Sequence, residues 1–504
     1  MDSPIVSAAA MRAAEESAFA RGVEVEALMD EAGAGVARCI REFFPNPGRA
    51  IVFAGKGHNG GDALVAAACL KESGWEIDVR LIFPEEECAE LTRKKIAALR
   101  EIPVRALRPL PNLIVLDGLL GLGSKYLLRE PVRTAAQEIN RLRREHQASI
   151  FAVDLPTGFD GDTGEADPDC VVADFTITIA FAKHGLVADR AIDRVGRLAV
   201  VSLPDLTIAP VPLNDLLATA PSLSALLPRR KFGAYKNEFG RIGVVAGSQG
   251  FIGAALMTAQ GALRGGAGLV EVFVPKEIYP IVAAAAPAEA MIKPVRSYRD
   301  LLEEKIDVWA LGPGLGRGEA KDISKLIERA TQPMVVDADG LNIISDEVDL
   351  LKRCAGPRLL TPHPGEMKRL MDPGKMSRAG LARTFCDLFP VTLLLKGART
   401  IVCQKGLAVS YNSTGNPGMA TGGMGDVLTG VCAGLVGQGL SLYDAARVGA
   451  WVCGRAAEIA IVEKDESEES LLPRDVLENL GEAFSELHQG AAASRPPAFK
   501  NGGL

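Results

Sequence analysis

The chain is poor in aromatics, has no paired cysteines and lacks a long uncharged apolar run. Phe, Trp and Tyr make up 5% of its 504 residues, too few for base-stacking platforms, and a net charge of −7 disfavours a polyanion, so both argue against nucleic acid as a partner. The nine cysteines, at 39, 69, 88, 170, 354, 386, 403, 432 and 453, form no Cys-x-x-Cys pair. That usage fits a reducing compartment and neither a disulfide framework nor a zinc site. Most, such as Cys432 and Cys453, sit in apolar runs and read as small buried residues. No basic stretch leads into an apolar core at the N-terminus, and the uncharged window 427–442 is too short and glycine-rich for a bilayer. The expected location is the cytoplasm, with no membrane partner.

Glycine is abundant, at 53 residues, and densest in NPGMATGGMGDVLTG, 416–430. There Gly418, Gly422, Gly423 and Gly425 crowd against one acid, Asp426. Glycine has no Cβ, so the backbone can turn tightly and approach a ligand. The apolar VLTGVCAGLVGQGL that follows reads as a buried helix whose first amides and positive dipole end face the loop, where an anion is stabilised. Asp426 is then either a helix cap or a base set beside a phosphate. With the usual Asp pKa of ~3.9 it is ionised near neutrality, so the base reading asks for position more than for a shifted pKa.

From about residue 50, short β-branched runs alternate with helical patterns, the βαβ signature of a mostly parallel sheet. The length suits two large α/β domains. Strands are expected at 50–55, 77–83, 113–117, 149–154 and 175–181. After a proline-rich stretch without a strong strand they restart at 241–247, 268–275, 307–314, 333–340, 358–362 and 391–397. The expected division is a first domain over 1–210, a linker over 211–230, a second domain over 231–490 and a disordered tail over 491–504. Ligands of open α/β sheets gather at the carboxyl ends of strands, which singles out Gly55, Asp117 and Asp154.

In the first domain, GKGHNGGD (55–62) leaves a strand and enters a helix, so its amides can receive an anion. LDGLLGLG (116–123) and AVDLPTG (152–158) repeat the strand-to-loop arrangement. Asn59, Asp117 and Thr157 offer hard oxygens of low total charge, better suited to an alkali cation than to zinc, and Asp154 is left for proton transfer. The alternative is that each acid caps the next helix. With MRAAEESAFARG and VDLPTGFDGDTG, these segments resemble the epimerase domain of the NAD(P)H-hydrate repair family, the YjeF N-terminal domain, over roughly 7–205. The resemblance implies a Rossmann-like three-layer α/β/α domain that interconverts the hydrate epimers at nicotinamide C6. It also implies potassium at Asn59, Asp117 and Thr157 and a catalytic Asp154. Substrate contacts would come from His58, Asn59, Gly60, Gly61, Asp62, Gly121, Leu122, Gly123 and Asp154. His58 stands where the family often has a second Asn, and Ala63 where Gly is usual.

In the second domain, GPGLG (312–316), VDADGLN (336–342), TPHPGE (361–366) and KGART (396–400) each fall at a strand end. Prolines on both sides fix the backbone of His363, which is either structural or a ligand contact; Lys396 lies either beside a phosphate or on the surface. Together with AGSQGFIGAA (246–255) and GGMGD, these segments resemble the hydrate dehydratase domain of the same family, a branch of the ribokinase-like α/β fold, over roughly 225–485. That implies substrate contacts from Ala254, Gly314, Gly316, His363 and Asp426, with Asp426 as catalytic base. Nucleotide contacts would come from Lys396, Gly397, Ala398, Arg399, Thr400, Gly422, Gly423 and Gly425. It also implies magnesium and ADP as co-substrate. Met424 stands where the family more often has Thr; because the loop acts through backbone amides, the change should tune the site only. The fused chain would repair the hydrates of NADH and NADPH (NADHX and NADPHX), releasing AMP and phosphate, as a homo-oligomer. The rivals are a small-alcohol kinase for the second domain and, for the first, an interaction module such as those in some decapping-enhancer proteins.

Overall fold

The computed structural model describes residues 3–103, 112–122, 127–208, 215–227, 229–464 and 466–490. The expectations for Gly123, for linker residues 211–214 and 228 and for the tail 491–504 lie outside the described residues. Two compact units separate, one falling within Ser3–Asn214 and the other within Asp215–Ala492.

The strands of the first unit are β1 (Ile5–Val6), β2 (Arg49–Ala54), β3 (Glu76–Leu81), β4 (Leu113–Gly118), β5 (Ser149–Val153), β6 (Phe175–Ile179), β7 (Ala182–Lys183) and β8 (Arg197–Val201). Six form a parallel sheet in the order β3-β2-β4-β5-β6-β8. Central strands of such a sheet are covered on both faces and read as unbroken apolar runs, as in AIVFA of β2. Val52 and Ala54 pack with Val36, Ile40 and Leu64. Ile51 and Phe53 point the other way, onto Ala136 and Ile139 of helix Val132–His146. Helices on both faces make the expected three layers. The short edge strand β8 and the separate parallel pair β1–β7 were not expected from the pattern. Because β2 pairs with both β3 and β4, the chain reverses direction across the sheet at β2/β4 and opens a crevice at their carboxyl ends.

The second unit holds a ten-stranded sheet, β12-β11-β10-β13-β14-β15-β16-β17-β18-β9. Its strands are β9 (Leu216–Ala218), β10 (Arg241–Val245), β11 (Leu269–Pro275), β12 (Ala290–Val295), β13 (Val308–Leu311), β14 (Met334–Val336), β15 (Arg358–Leu360), β16 (Thr392–Leu395), β17 (Ile401–Gln404) and β18 (Ser410–Asn412). The run from β12 to β16 is parallel, and β17 and β18 continue it antiparallel. One expectation is corrected here: part of the stretch read as linker is strand β9, parallel to β18, with Leu217 and Ala218 buried. A strand this short, set among prolines, carries no period of its own, and its partner lies far along the chain.

Glycines let helices Ile252–Arg264 and Met424–Gly437 meet backbone to backbone. A Cβ on Gly430 would stand 2.0 Å from the Thr258 carbonyl oxygen, and one on Gly261 2.4 Å from that of Val427. This contact sets the start of the second helix, and with it Asp426, beside the segment that carries Ala254. Gly430→Ala should therefore destabilise the second unit by about 1–3 kcal/mol, seen as a lower midpoint for its thermal transition with that of the first unit unchanged.

Two candidate active sites

A cavity of about 630 Å³ lies in the first unit. Lys56, His58, Asn59 and Asp62 follow β2, Leu119 to Leu122 follow β4, Asp154 follows β5, and helix Ala8–Ala20 adds Arg12 and Glu15. The topological crevice thus gathers His58, Asn59, Asp62, Gly121, Leu122 and Asp154 in one wall. Gly60 and Gly61 are buried beneath it: a Cβ on Gly60 would stand 2.1 Å from the Gly55 carbonyl oxygen, and one on Gly61 2.5 Å from the Met29 sulfur. Their visible role is to let helix His58–Glu72 close onto the loop and onto Met29.

Asp154 has φ +66°, a left-handed conformation that an L side chain rarely adopts. Bonds on both sides hold it there. Its amide donates to Ile177 O at 2.8 Å, while Oδ1 accepts from Thr178 Oγ1 and the Ile179 amide, each at 3.1 Å, and from Lys183 Nζ. Among the described residues none of these donors reaches Oδ2. Lys183, fully buried, also donates to Thr178 Oγ1 and Ile179 O, each at 3.1 Å. It sits on β7, and β1 pairs with that strand at Val6↔Lys183. The sequence reading missed Lys183, although a lone charge closing the apolar run FTITIAFAK was a usable signal.

Thr157 donates to Asp117 twice, from its amide to Oδ2 at 2.8 Å and from Oγ1 to Oδ1 at 2.7 Å. The Leu120 amide donates to Thr157 Oγ1 at 3.2 Å, and the Leu120 carbonyl accepts from Asn59 Nδ2 at 3.0 Å. Asn59, Asp117 and Thr157 are therefore one hydrogen-bonded group. Asp117 is fully buried and, among the described residues, no Lys or Arg pairs with it. Burial raises its pKa to about 6 against the hydrogen bonds from Thr157 and Leu119. A carboxylate, a hydroxyl and an amide oxygen without a protein counter-charge fit a hard monovalent cation. Gly121 must stay small beside them, since a Cβ there would stand 3.2 Å from Asn59 Oδ1.

In the second unit the centre is Asp337, buried at the end of β14. Lys396 Nζ donates to its Oδ1 at 2.7 Å and Thr429 Oγ1 to its Oδ2 at 2.9 Å, with buried Glu366 at 3.9 Å from the same ammonium. Lys396 is thus neither a surface lysine nor one free to meet phosphate alone. Gly425 lies over this pair; a Cβ there would stand 3.2 Å from Lys396 Nζ and 3.3 Å from Asp337 Oδ2. Gly423, at φ +97°, caps helix Met424–Gly437, whose first-turn amides have no acceptor within the helix. A Cβ on Gly422 would meet nothing within 4 Å. The glycine turn leading into an open helix start that the sequence suggests is therefore present.

Asp426 corrects an expectation. Burial, and then the neighbouring Asp337, raise its pKa to about 7, with Lys396 opposing them, so near neutrality it is only partly ionised. A shifted pKa thus accompanies its position at the helix start.

The remaining predicted residues fall into two loops and a cap. Ala254 and Gly314 touch, for a Cβ on Gly314 would stand 2.9 Å from that of Ala254. The Gly316 amide donates to Asp339 Oδ2 at 2.8 Å. His363 caps helix Pro364–Leu370, its Nδ1 accepting from the Gly365 amide at 3.0 Å and its amide donating to Glu366 Oε2 at 2.8 Å. The side chain remains half exposed, so the structural role of His363 is explicit and its edge stays open to a ligand. Gly397, at φ +140°, and Arg399, at φ +54°, shape the 396–400 loop. Arg378 pins it by donating to Ala398 O at 2.7 Å, and Thr400 Oγ1 donates to Gly397 O at 2.9 Å.

Two parallel α/β domains, each with a charge-compensated aspartate and glycine loops at strand carboxyl ends, define a bifunctional enzyme with one site per domain. The chain belongs to the family of bifunctional NAD(P)H-hydrate repair enzymes. The member from Moorella thermoacetica is 35% identical over 490 residues, covering 90% of this chain and 91% of that one. The Escherichia coli member is 34% identical over 464 residues, covering 89% and 88%. Residues 25–185 match the YjeF-related protein N-terminus, and 242–480 match NAD(P)H-hydrate dehydratase. The solved ADP/ATP-dependent NAD(P)H-hydrate dehydratase from Bacillus subtilis, co-crystallized with ATP/Mg2+, is 27% identical with a TM-score of 0.48, covering 54% of this chain and 98% of that one.

Removing the buried cation from beside Asp154 should cost the first unit about 3–5 kcal/mol. Lys183→Met is expected to lower the urea midpoint of that unit, and adding Asp154→Asn to restore part of the loss.

Proposed function

We propose that this chain repairs hydrated NADH and NADPH, with the first domain interconverting the R- and S-hydrates at nicotinamide C6 and the second dehydrating the S-hydrate at the expense of ADP. The observation that carries the reading is Asp426, poised near neutrality at an anion-receiving helix start, in one chain with the Asp154 cavity. In the second domain Asp426 takes the proton of the C6 hydroxyl as that oxygen attacks the terminal phosphorus of ADP, releasing AMP. The phosphate then departs with the C6–O electron pair while C5 gives up a proton, which restores the C5=C6 bond. The amides at 422–425 and the 396–400 loop hold the nucleotide, and Ala254, Gly314, Gly316 and His363 hold the hydrate. Magnesium, bound with the nucleotide, supplies charge neutralisation on the transferring phosphate.

In the first domain Asp154 acts on the ring, with His58, Asn59, Asp62, Gly121 and Leu122 around it. Potassium would be held by Asn59, Asp117 and Thr157, where it would supply a counter-charge that no Lys or Arg among the described residues gives Asp117. The same reading makes the chain a cytoplasmic homo-oligomer, on its unpaired cysteines and apolar helices; among the described residues no helix is long and apolar enough to cross a membrane.

Incubation with NADH hydrate and ADP should restore dihydronicotinamide absorbance; no recovery, with phosphorylation of a small alcohol instead, would sink the proposal. Asp426→Asn should slow dehydration by about 10²–10⁴-fold and leave epimerisation intact, and Asp154→Asn the reverse. Because the base must be ionised, kcat/KM for dehydration should rise with pH through about 7. Lys396→Met removes the cation that holds the Asp426 pKa down and should move this limb to higher pH.

A further inference from the structure

Inverting C6 of the hydrate means breaking and remaking a C–O bond. The carbon carries both a hydroxyl and the ring nitrogen. Its hydroxyl can leave as water once protonated, with the N1 lone pair closing a C6=N1 iminium. A water molecule then adds to the other face and gives up a proton. Water is the only co-reactant, and the bonds and protons balance. The cavity must therefore present one group that gives a proton and one that takes it.

Asp154 is tied to Lys183 and is suited to take the proton. A second carboxyl, Asp62, lines the same cavity from helix His58–Glu72 and has no hydrogen-bond or ion-pair partner among the described residues. We propose that Asp62 is the proton donor to the departing C6 hydroxyl and Asp154 the acceptor of the proton from the incoming water. This rests on the epimerase reading of the first domain and assigns a role to each carboxyl. The electrostatic surroundings separate the two. Burial, then the Asp154 and Glu15 carboxylates, push the pKa of Asp62 well above the usual carboxylate range. Glu15 is raised as well, by burial and by Asp154, but Lys183 and Arg12 act against that rise. The other charged or titratable groups of the wall are Lys56, ahead of the helix, and His58, its first residue. A carboxyl with no cation beside it among the described residues and one bound to a buried lysine are suited to the acid and base roles of one reaction.

The test follows epimer interconversion, without ADP, in H2¹⁸O. The full-length enzyme should place ¹⁸O at C6 as it epimerises, and its rate should fall as pH rises and Asp62 loses its proton. Asp62→Asn should be slower by about 100-fold or more, lack that high-pH fall and bind hydrate within a few-fold of the parent by calorimetry. Full activity in Asp62→Asn, loss of hydrate binding, or epimerisation without ¹⁸O uptake each overturns the assignment. If the unaltered enzyme does not accelerate epimerisation, or Asp154→Asn retains the full rate, the epimerase reading falls and takes this assignment with it.

Discussion

Burying a carboxylate costs several kcal/mol unless a cation and hydrogen bonds offset the lost hydration. Both sites depend on that compensation, and both obtain it in the same way. Asp154, past the end of β5, is paired with Lys183 on β7; Asp337, past the end of β14, is paired with Lys396 just after β16. In each unit the lysine arrives from a strand later in the chain, so the charge pair forms only when the sheet has assembled. The left-handed backbone of Asp154 and the placement of Gly425 over the second pair accompany these two charge pairs.

Close backbone approach is the other shared device. Gly60 and Gly61 let a helix start against the loop after β2, and Gly261 and Gly430 let two helices of the second unit touch so that Asp426 stands near the Asp337–Lys396 pair. Gly60 and Gly61, which look like ligand contacts in the sequence, thus also have a packing role, as do Gly261 and Gly430. They set the distance between elements whose side chains and amides face the ligand.

Unequal compensation then differentiates the carboxyl groups. Asp154 and Asp337 have cations bound directly to them. Asp62 and Asp117 have none among the described residues, and both are pushed upward by burial. Asp426 lies between these cases, with Asp337 raising and Lys396 lowering its pKa, to about 7. One residue type thus occupies distinct electrostatic settings, which suit the proposed roles of anchor, cation ligand and acid or base according to what lies within a few ångströms.

Much of this was legible in one dimension. The alternation of short apolar runs with helical patterns fixed two parallel α/β domains, because a parallel strand covered on both faces must be apolar throughout its length. The motifs HNGGD, DGLLGLG, DLPTG and GGMGD marked the loops at strand ends and the glycine turn before a helix, because tight loops there need glycine whatever surrounds them. Strands β1, β7, β8, β9, β12 and β18 escaped notice, being short or polar-faced and defined by partners elsewhere in the chain. Lys183 closes the apolar run FTITIAFAK, but only its burial beside Asp154 shows that the charge is turned inward. The pKa of Asp426 was misjudged because it depends on burial and on Asp337 and Lys396, 89 and 30 positions earlier in the chain. Residue type and spacing determined which groups are available; three-dimensional proximity and loss of water decided which are charged and which merely pack.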